Sequence, residues 1–162
     1  MKAIIVGCGR VGATLSRQLA DAGADVTIID LTSESFRRLG TKFRGTRVVG
    51  TGTDVTILKR AGIESADIFV SVTDGDNRNL MATQIAKSVF NVPLVMTRVY
   101  DPARAAAYRD MGIQTICTTS IAANLMFDLA GGKAILPMID DLQAARAGAN
   151  LSGASLRRVE AE

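Results

Sequence analysis

The sequence predicts an α/β chain, a doubly wound parallel sheet of about six strands with helices on both faces and a short C-terminal helical tail. Three observations carry this expectation. Short β-rich apolar runs alternate with amphipathic stretches from Lys2 to about residue 130. A glycine or a capping residue punctuates each passage. The first apolar run also leads straight into Gly7-Cys8-Gly9-Arg10-Val11-Gly12, the spacing of a tight strand-to-helix turn.

The elements follow in order. Lys2–Val6 reads as a strand, 11–22 as a helix ending at Gly23, and 25–29 as a second strand closing at Asp30. A helix is expected over 33–42, N-capped by Thr32 or Ser33, then a short strand around 47–49 and a helix over 54–61 stopped by Gly62. The apolar run 68–72 forms the next strand. A helix over 76–90 places Leu80, Met81, Ile85 and Val89 at spacings that share a face. Residues 93–97 form a fifth strand. Asp101-Pro102 opens a helix with an N-cap and a proline at its first position, Gly112 closes it, and Gln114–Cys117 is a sixth strand. A helix over 120–129 ends at Gly131-Gly132. Six strands in two βαβαβ-like halves complete a Rossmann-like, nucleotide-binding pattern. Residues 1–132 are read as one nucleotide-binding domain and 133–162 as a partly helical or disordered tail. In that tail Ile135, Leu136, Met138, Ile139 and Leu142 can pack one further short element, and 148–155 reads as a linker or frayed end.

Composition narrows the function. A chain of 162 residues with 48% hydrophobic and 22% charged side chains has room for one core. Nineteen basic against sixteen acidic side chains leave a net charge of +3, too small a surplus to demand a nucleic-acid partner. The chain has no histidine, which removes the usual general base, most zinc and non-haem iron sites, and every Ser-His-Asp or Cys-His arrangement. No metal is expected. Cys8 and Cys117 form no metal-ligand spacing and read as buried small apolar residues in a reduced environment. No apolar run approaches the ~20 residues a membrane-spanning helix needs, so no direct membrane insertion is expected.

The glycine motif carries the chemistry. Gly7 allows the tight turn, Gly9 lets the backbone approach a pyrophosphate, and Gly12 lets the helix pack on the sheet. The helix N-terminus, with Arg10 and Val11 in its first turn, then donates N–H groups to the anion. Asp30 ends the second strand eighteen residues after Gly12, where a carboxylate accepts hydrogen bonds from both hydroxyls of an adenosine ribose. A carboxylate there disfavours the 2′-phosphate of NADP and leaves NAD, ATP, ADP and AMP unranked. The alternative is purely structural, with glycines that only permit the turn and an Asp30 that only caps the next helix.

In an open parallel sheet, ligands lie beyond the carboxyl ends of the strands. The Gly7 loop, Asp30, Gly50-Thr51, Thr73-Asp74, Arg98 and Thr118 stand there. Arg98 admits two readings, a bidentate phosphate ligand or an ion pair with Asp101 or Asp74. Arg10 is either a phosphate ligand or a solvated arginine at a helix end. Asp74 and Asp76 are read as N-cap residues of the following helix, because nothing supplies the environment that would set two carboxylates apart for acid–base work.

Several motifs then coincide in order: the glycine loop, Asp30, Thr53-Asp54 with Leu58 and Ala61-Gly62-Ile63, Ala66-Asp67, Val72-Thr73-Asp74, Asp76, Asn79-Leu80 and Arg98-Val99-Tyr100-Asp101-Pro102. Over about residues 1–130 the chain resembles the TrkA N-terminal domain, also called the RCK or KTN domain, of potassium transporter and channel regulators. The resemblance implies a cytoplasmic, nucleotide-sensing regulatory subunit. Such a subunit would sit at the inner face of the plasma membrane through a potassium transporter or channel partner. It would assemble as a homodimer or larger RCK ring, with a second RCK protein as a further candidate partner, and bind NAD, NADH, ATP, ADP or AMP without acting as an enzyme.

Carried onto this sequence, the resemblance gives the loop glycines, Arg10 and Arg98 to phosphate, Asp30 to the ribose, and Thr73 and Asn79 to the polar edge of the pocket. The chain departs from the family at Gly50-Thr51-Gly52, where Thr51 stands in place of an acid at the adenine or ribose edge. The stretch after Gly132 is also too short and unpatterned for the second regulatory domain many relatives carry, which leaves a single-domain member or a shortened chain. Two other readings compete. One is an NAD-dependent oxidoreductase, which would need a substrate domain and a proton donor, a role for which Lys59, Lys87 and Tyr100 lack a dehydrogenase context. The other is a docking RCK subunit with a degenerate nucleotide site.

Overall fold

In the computed structural model, which describes residues 1–135 and Pro137, the strand Lys2–Val6 (β1) is buried on both faces. Ala3 and Ile5 point to one side, Ile4 and Val6 to the other. A strand of that kind belongs in the middle of a sheet covered above and below. β2 (Asp25–Asp30), β3 (Thr46–Val49), β4 (Ile68–Ser71), β5 (Leu94–Val99) and β6 (Gln114–Cys117) complete it, in the order β3-β2-β1-β4-β5-β6. All neighbours are parallel; Ile4 of β1 pairs with Thr27 on one side and Phe69 on the other.

Helices cover both faces. α1 (Arg10–Asp21) lays Ala13, Leu15 and Leu19 over Ile5, Val26, Ile28 and Val70, joined there by Phe36 and Leu39. On the opposite face α2 (Val55–Arg60) and α3 (Asp76–Ser88) bring Leu58, Ala82 and Ala86 onto Ile4, Val6, Ile29 and Phe69. α4 (Pro102–Asp110) packs Ala105 with Leu80, Val99 and Cys117. α5 (Thr118–Ala130) follows β6 directly and buries none of its residues. Full burial of a side chain such as Phe69 or Ile4 contributes roughly 1.5–3 kcal/mol, against about 1 kcal/mol for a cap such as Asp54, which accepts from the Thr56 and Ile57 N–H groups. The two sheet faces, more than the helix ends, hold the floor of the site.

Four expectations need adjusting. The helix over 33–42 is a shorter 3-10 segment, Ser33–Leu39. Its buried residues, Phe36 and Leu39, are three apart, which suits a three-residue turn, and Thr32 bonds the Ser35 hydroxyl at 2.9 Å instead of capping the backbone. A second 3-10 turn, Ile63–Ser65, was not expected. The helix of α3 stops at Ser88, two residues before the expected end. β5 begins after Pro93, which has no N–H to give a ladder, and runs on to Val99, so Arg98 lies within the strand, paired with Ile116. Of the tail, Ile135 is buried; the remaining expectations over 136 and 138–162 fall outside the described residues.

Candidate functional site

Strand order reverses between β1 and β4, and there the connections leave a crevice at the carboxyl edge of the sheet. A cleft of about 670 Å³ occupies it, within the range of nucleotide-sized pockets. Its near wall is the Gly7–Val11 loop, its β2 and β3 side is formed by Asp30, Leu31, Thr32, Ser35, Arg38 and residues 50–53, and its β4 and β5 side by Val72, Thr73, Asp74, Arg78, Ala82 and Arg98.

The glycines divide the work of the loop. Gly7 has φ +100° and lies so close to the β4 crest that a Cβ would stand 2.9 Å from Thr73 N. Gly12 is buried under the loop, where a Cβ would meet the Gly7 carbonyl oxygen at 1.8 Å. Gly9 faces open space. As N-cap of α1 it offers no side-chain acceptor, and the first turn holds no acidic residue. The first-turn N–H groups of a twelve-residue helix therefore look into the cleft uncapped, the arrangement that attracts an anion.

Asp30 fixes the loop and borders the cleft. One carboxylate oxygen accepts from Cys8 N at 2.6 Å and the other from Thr32 N at 3.1 Å. Asp30 therefore accepts a backbone N–H of the next turn and also lines the cleft. The Cys8 thiol donates to the Ser35 carbonyl at 3.3 Å; burial first, and the Asp30 charge second, push its pKa up to about 11. It is a packing residue whose thiol stays protonated at neutral pH. Cys117 is buried too, but its pKa is lowered, chiefly by the Ser120 hydroxyl donating to its sulfur at 3.3 Å.

Arg98 pairs with neither carboxylate named for it. Asp74 takes Arg78, and Asp101 takes Arg104 at 3.6 Å. The Arg98 guanidinium instead donates to the Thr73 carbonyl and stacks 4.7 Å over the Tyr100 ring, and its Nε is buried without a partner. With Arg10, Arg38 and Arg78 on the same lining and only Asp30 and Asp74 opposing them, the cleft carries a surplus of positive charge.

The structure brings Gly7, Gly9, Arg10, Val11, Asp30, Thr51, Thr73 and Arg98 onto one cleft. Gly12 and Asn79 lie beneath it. Asn79 is fully buried: its carbonyl accepts from Ser71 Oγ, Thr73 N and Thr73 Oγ1 at 3.0, 2.8 and 2.6 Å, and its amide donates to the carbonyls of Thr73 and Arg98 at 3.0 and 3.1 Å. With every polar position used, it ties the β4 crest to β5 rather than edging the pocket. Thr51 bonds Thr53 through its hydroxyl at 2.9 Å.

Neither Asp74 nor Asp76 caps α3, whose N-cap is Gly75 without a side-chain bond. Asp76 reaches across to Tyr100 N at 2.9 Å and Asp101 N at 3.2 Å. Sequence reasoning missed Arg38, Thr32, Ser35 and Arg78. Ser35 and Arg38 are three apart, so the 3-10 turn sets both on one face, toward the cleft. Among the described residues no group of three Cys, Asp or Glu side chains could hold a metal ion, and no helix is long and apolar enough to cross a membrane.

Residues 3–119 match the TrkA-N domain family model. The chain is 45% identical over 126 residues to the Trk system potassium uptake protein TrkA of Streptomyces coelicolor, which covers 78% of this chain and 56% of that protein. It thus spans about half the length of that relative. Among solved structures, the TrkA-N domain of the Escherichia coli inner membrane protein ybaL superposes with a TM-score of 0.68 at 20% identity, covering 79% of this chain and 95% of that one. The AMP-bound Kef C-terminal domain of Shewanella denitrificans gives 0.69 at 22% identity, covering 91% and 94%. These two likenesses speak for the fold. The family follows from the span of the model match, which takes in every strand from β1 to β6 and each cleft wall just described: the chain belongs to the TrkA-N domain family.

Proposed function

We propose that the chain is a nucleotide-sensing regulatory subunit of a membrane potassium transporter or channel, working as a homodimer or larger ring at the cytoplasmic face and catalysing no reaction of its own. The observation that carries this reading is one cleft in which an uncapped helix N-terminus, an open Gly9, the Asp30 carboxylate and an arginine without an acidic partner among the described residues converge. An adenine nucleotide fits those parts: phosphates on the loop amides, Arg10 and Arg98, the ribose on Asp30, and the base toward Thr51. The potassium-uptake name of the Streptomyces relative and the AMP in the Shewanella neighbour support it. So does α5, which leaves Ile121, Met126, Phe127 and Leu129 between 41% and 79% exposed, a surface suited to a second copy.

A dehydrogenase gains no support. Lys59 pairs with Glu64 at 3.7 Å, Lys87 donates to the Met111 and Gly112 carbonyls that end α4, and Tyr100 lies under Arg98; none lines the cleft. Regulation then rests on differential affinity. A ligand that prefers one arrangement tenfold supplies only ~1.4 kcal/mol per site, so several coupled sites are needed to switch a pore.

The test is calorimetric titration of nucleotide-stripped protein with AMP, ADP, ATP, NAD, NADH and NADP. Saturable binding is expected for at least one adenine nucleotide, weakest for NADP, and reduced tenfold or more by Asp30→Asn through loss of charge-assisted bonds of roughly 1.5–3 kcal/mol each. Failure of all six ligands to bind would leave a docking subunit with a degenerate site.

A further inference from the structure

Arg98 and Tyr100 sit between the cleft and the root of α5, and they are tied to both. On the cleft side, the Arg98 side chain rests on the Tyr100 ring at 4.7 Å and on the Thr73 carbonyl, with Nε unpartnered. On the far side, the Tyr100 backbone is gripped from two elements. Its N–H donates to both oxygens of Asp76, the first residue of α3, at 2.9 and 3.0 Å. Its carbonyl accepts from the thiol of Cys117 at 3.5 Å, and that sulfur accepts from Ser120 Oγ at 3.3 Å. Cys117 is the N-cap of α5 and Ser120 lies in its first turn. Because α5 buries no residue along its length, these contacts at its root have unusual weight in setting where it points.

We propose that Tyr100 is the relay through which an anion in the cleft sets the position of α5. The proposal rests on the reading of the cleft as a phosphate-binding site. Without ligand, the Arg98 guanidinium is held by the Tyr100 face and the Thr73 carbonyl. A phosphate is a stronger partner for that guanidinium than a ring face or a neutral carbonyl. On binding, Arg98 swings to the phosphate and the ring loses its cover. The Tyr100 peptide then settles anew between Asp76 and Cys117. Asn79, which holds the Arg98 carbonyl at 3.1 Å, keeps the strand itself in place, so the change passes through the side chain and the next peptide. Both ends of the relay then have two states, as coupling between distinct sites requires.

ADP is the probe, and the full chain is used. Calorimetry gives its affinity, and hydrogen exchange reads the amides of 118–121 with and without saturating ADP. The expected result is a change in protection at that root in the wild-type protein. Tyr100→Ala removes the competitor for Arg98, so ADP should bind roughly two- to fivefold tighter, the measure of an exposed cation–π contact, while the change at the root disappears. Tyr100→Phe keeps the ring and should restore both. A merely structural Tyr100 would weaken binding or leave it alone on truncation. Unchanged or weaker binding by Tyr100→Ala overturns the relay, as does an unresponsive α5 root in wild-type protein that measurably binds ADP. If ADP does not bind, the same two readouts are taken with whichever of the six nucleotides does; failure of all six would overturn the nucleotide reading, and the relay with it.

Discussion

α1 and α5 are nearly equal in length, each follows an inner or outer strand at the carboxyl edge of the same sheet, and they end up in opposite circumstances. α1 buries Gly12, Ala13 and Ser16 against the sheet and turns Arg10, Thr14 and Gln18 outward. α5 is the more apolar of the two, yet it buries nothing and leaves Phe127 79% exposed. Apolar content therefore does not decide burial; a face small and regular enough to approach the sheet does. The helix starts differ in the same sense. Neither start has a side-chain cap, but that of α1 opens on the cleft, whereas that of α5 is tied to the end of β5 through the Cys117 thiol, which bonds the Tyr100 carbonyl and the Ser120 hydroxyl. One helix belongs to the domain's own core and the other leaves an apolar face uncovered.

The largest effect should come from breaking the close fit of α1. Gly12→Ala drives a Cβ to 1.8 Å from a backbone oxygen that has no room to move, and we expect a loss of about 3 kcal/mol or more in chemical denaturation. Gly9→Ala, three residues away in the same motif, meets nothing within 4 Å. Its stability should stay within about 1 kcal/mol of wild type, the range for alanine at an N-cap, while nucleotide affinity falls. If both substitutions cost the same stability, the division of labour within the loop is wrong.

That division was legible in advance because each glycine of the motif answers a separate steric demand, and because Asp30 closes a strand whose apolar run can be counted. The inner strands β1, β2 and β4 were legible because burial on both faces writes itself as a near-continuous apolar run, whereas the edge strands β3 and β6, with Arg47 and Gln114 exposed, were legible from the turns that bound them. What sequence reading lost were features decided by tertiary neighbours. Asp74 and Asp76 look like caps, but an arginine one turn on and the backbone N–H groups that follow β5 compete for them successfully. Asn79 looks like a pocket residue, but five hydrogen bonds consume it. Arg38 lies on a 3-10 segment after β2 that also lines the cleft, a placement no apolar period of three and a half residues foreshadows.

An effect of intermediate size, on association and not on folding, is expected at α5. Phe127→Asp places a charge where the ring is already in solvent, so the monomer should keep its stability within about 0.5 kcal/mol. A dimer that buries the ring would be disrupted. Sedimentation over a concentration series should show the wild type self-associating and the variant shifted to monomer. Identical sedimentation of the two would mean that α5 is not the contact and would remove its distinction from α1 as an interaction helix.

The smallest effect is electrostatic and belongs to α1's side of the comparison. Burial and the Asp30 carboxylate hold the Cys8 thiol protonated up to about pH 11, while the same thiol in the unfolded chain ionises near 9.0. Between those values the folded state carries the additional proton, so stability falls as pH rises from about 9 toward 11 and is insensitive to this group below that window. Cys8→Ser should flatten the alkaline limb of the stability curve, because a hydroxyl does not titrate there. The Cys117 thiol is shifted the other way by hydrogen bonds to its sulfur and acts in the opposite sense. Its stabilising contribution grows as pH rises toward about 9 and is constant above, so removing it should take away a gain below pH 9 and leave the Cys8 loss between 9 and 11 unchanged. Thiol-reagent kinetics on the native protein separate the two, with Cys117 expected to ionise at lower pH than Cys8; the reverse order would mean that the loop around Asp30 opens in solution.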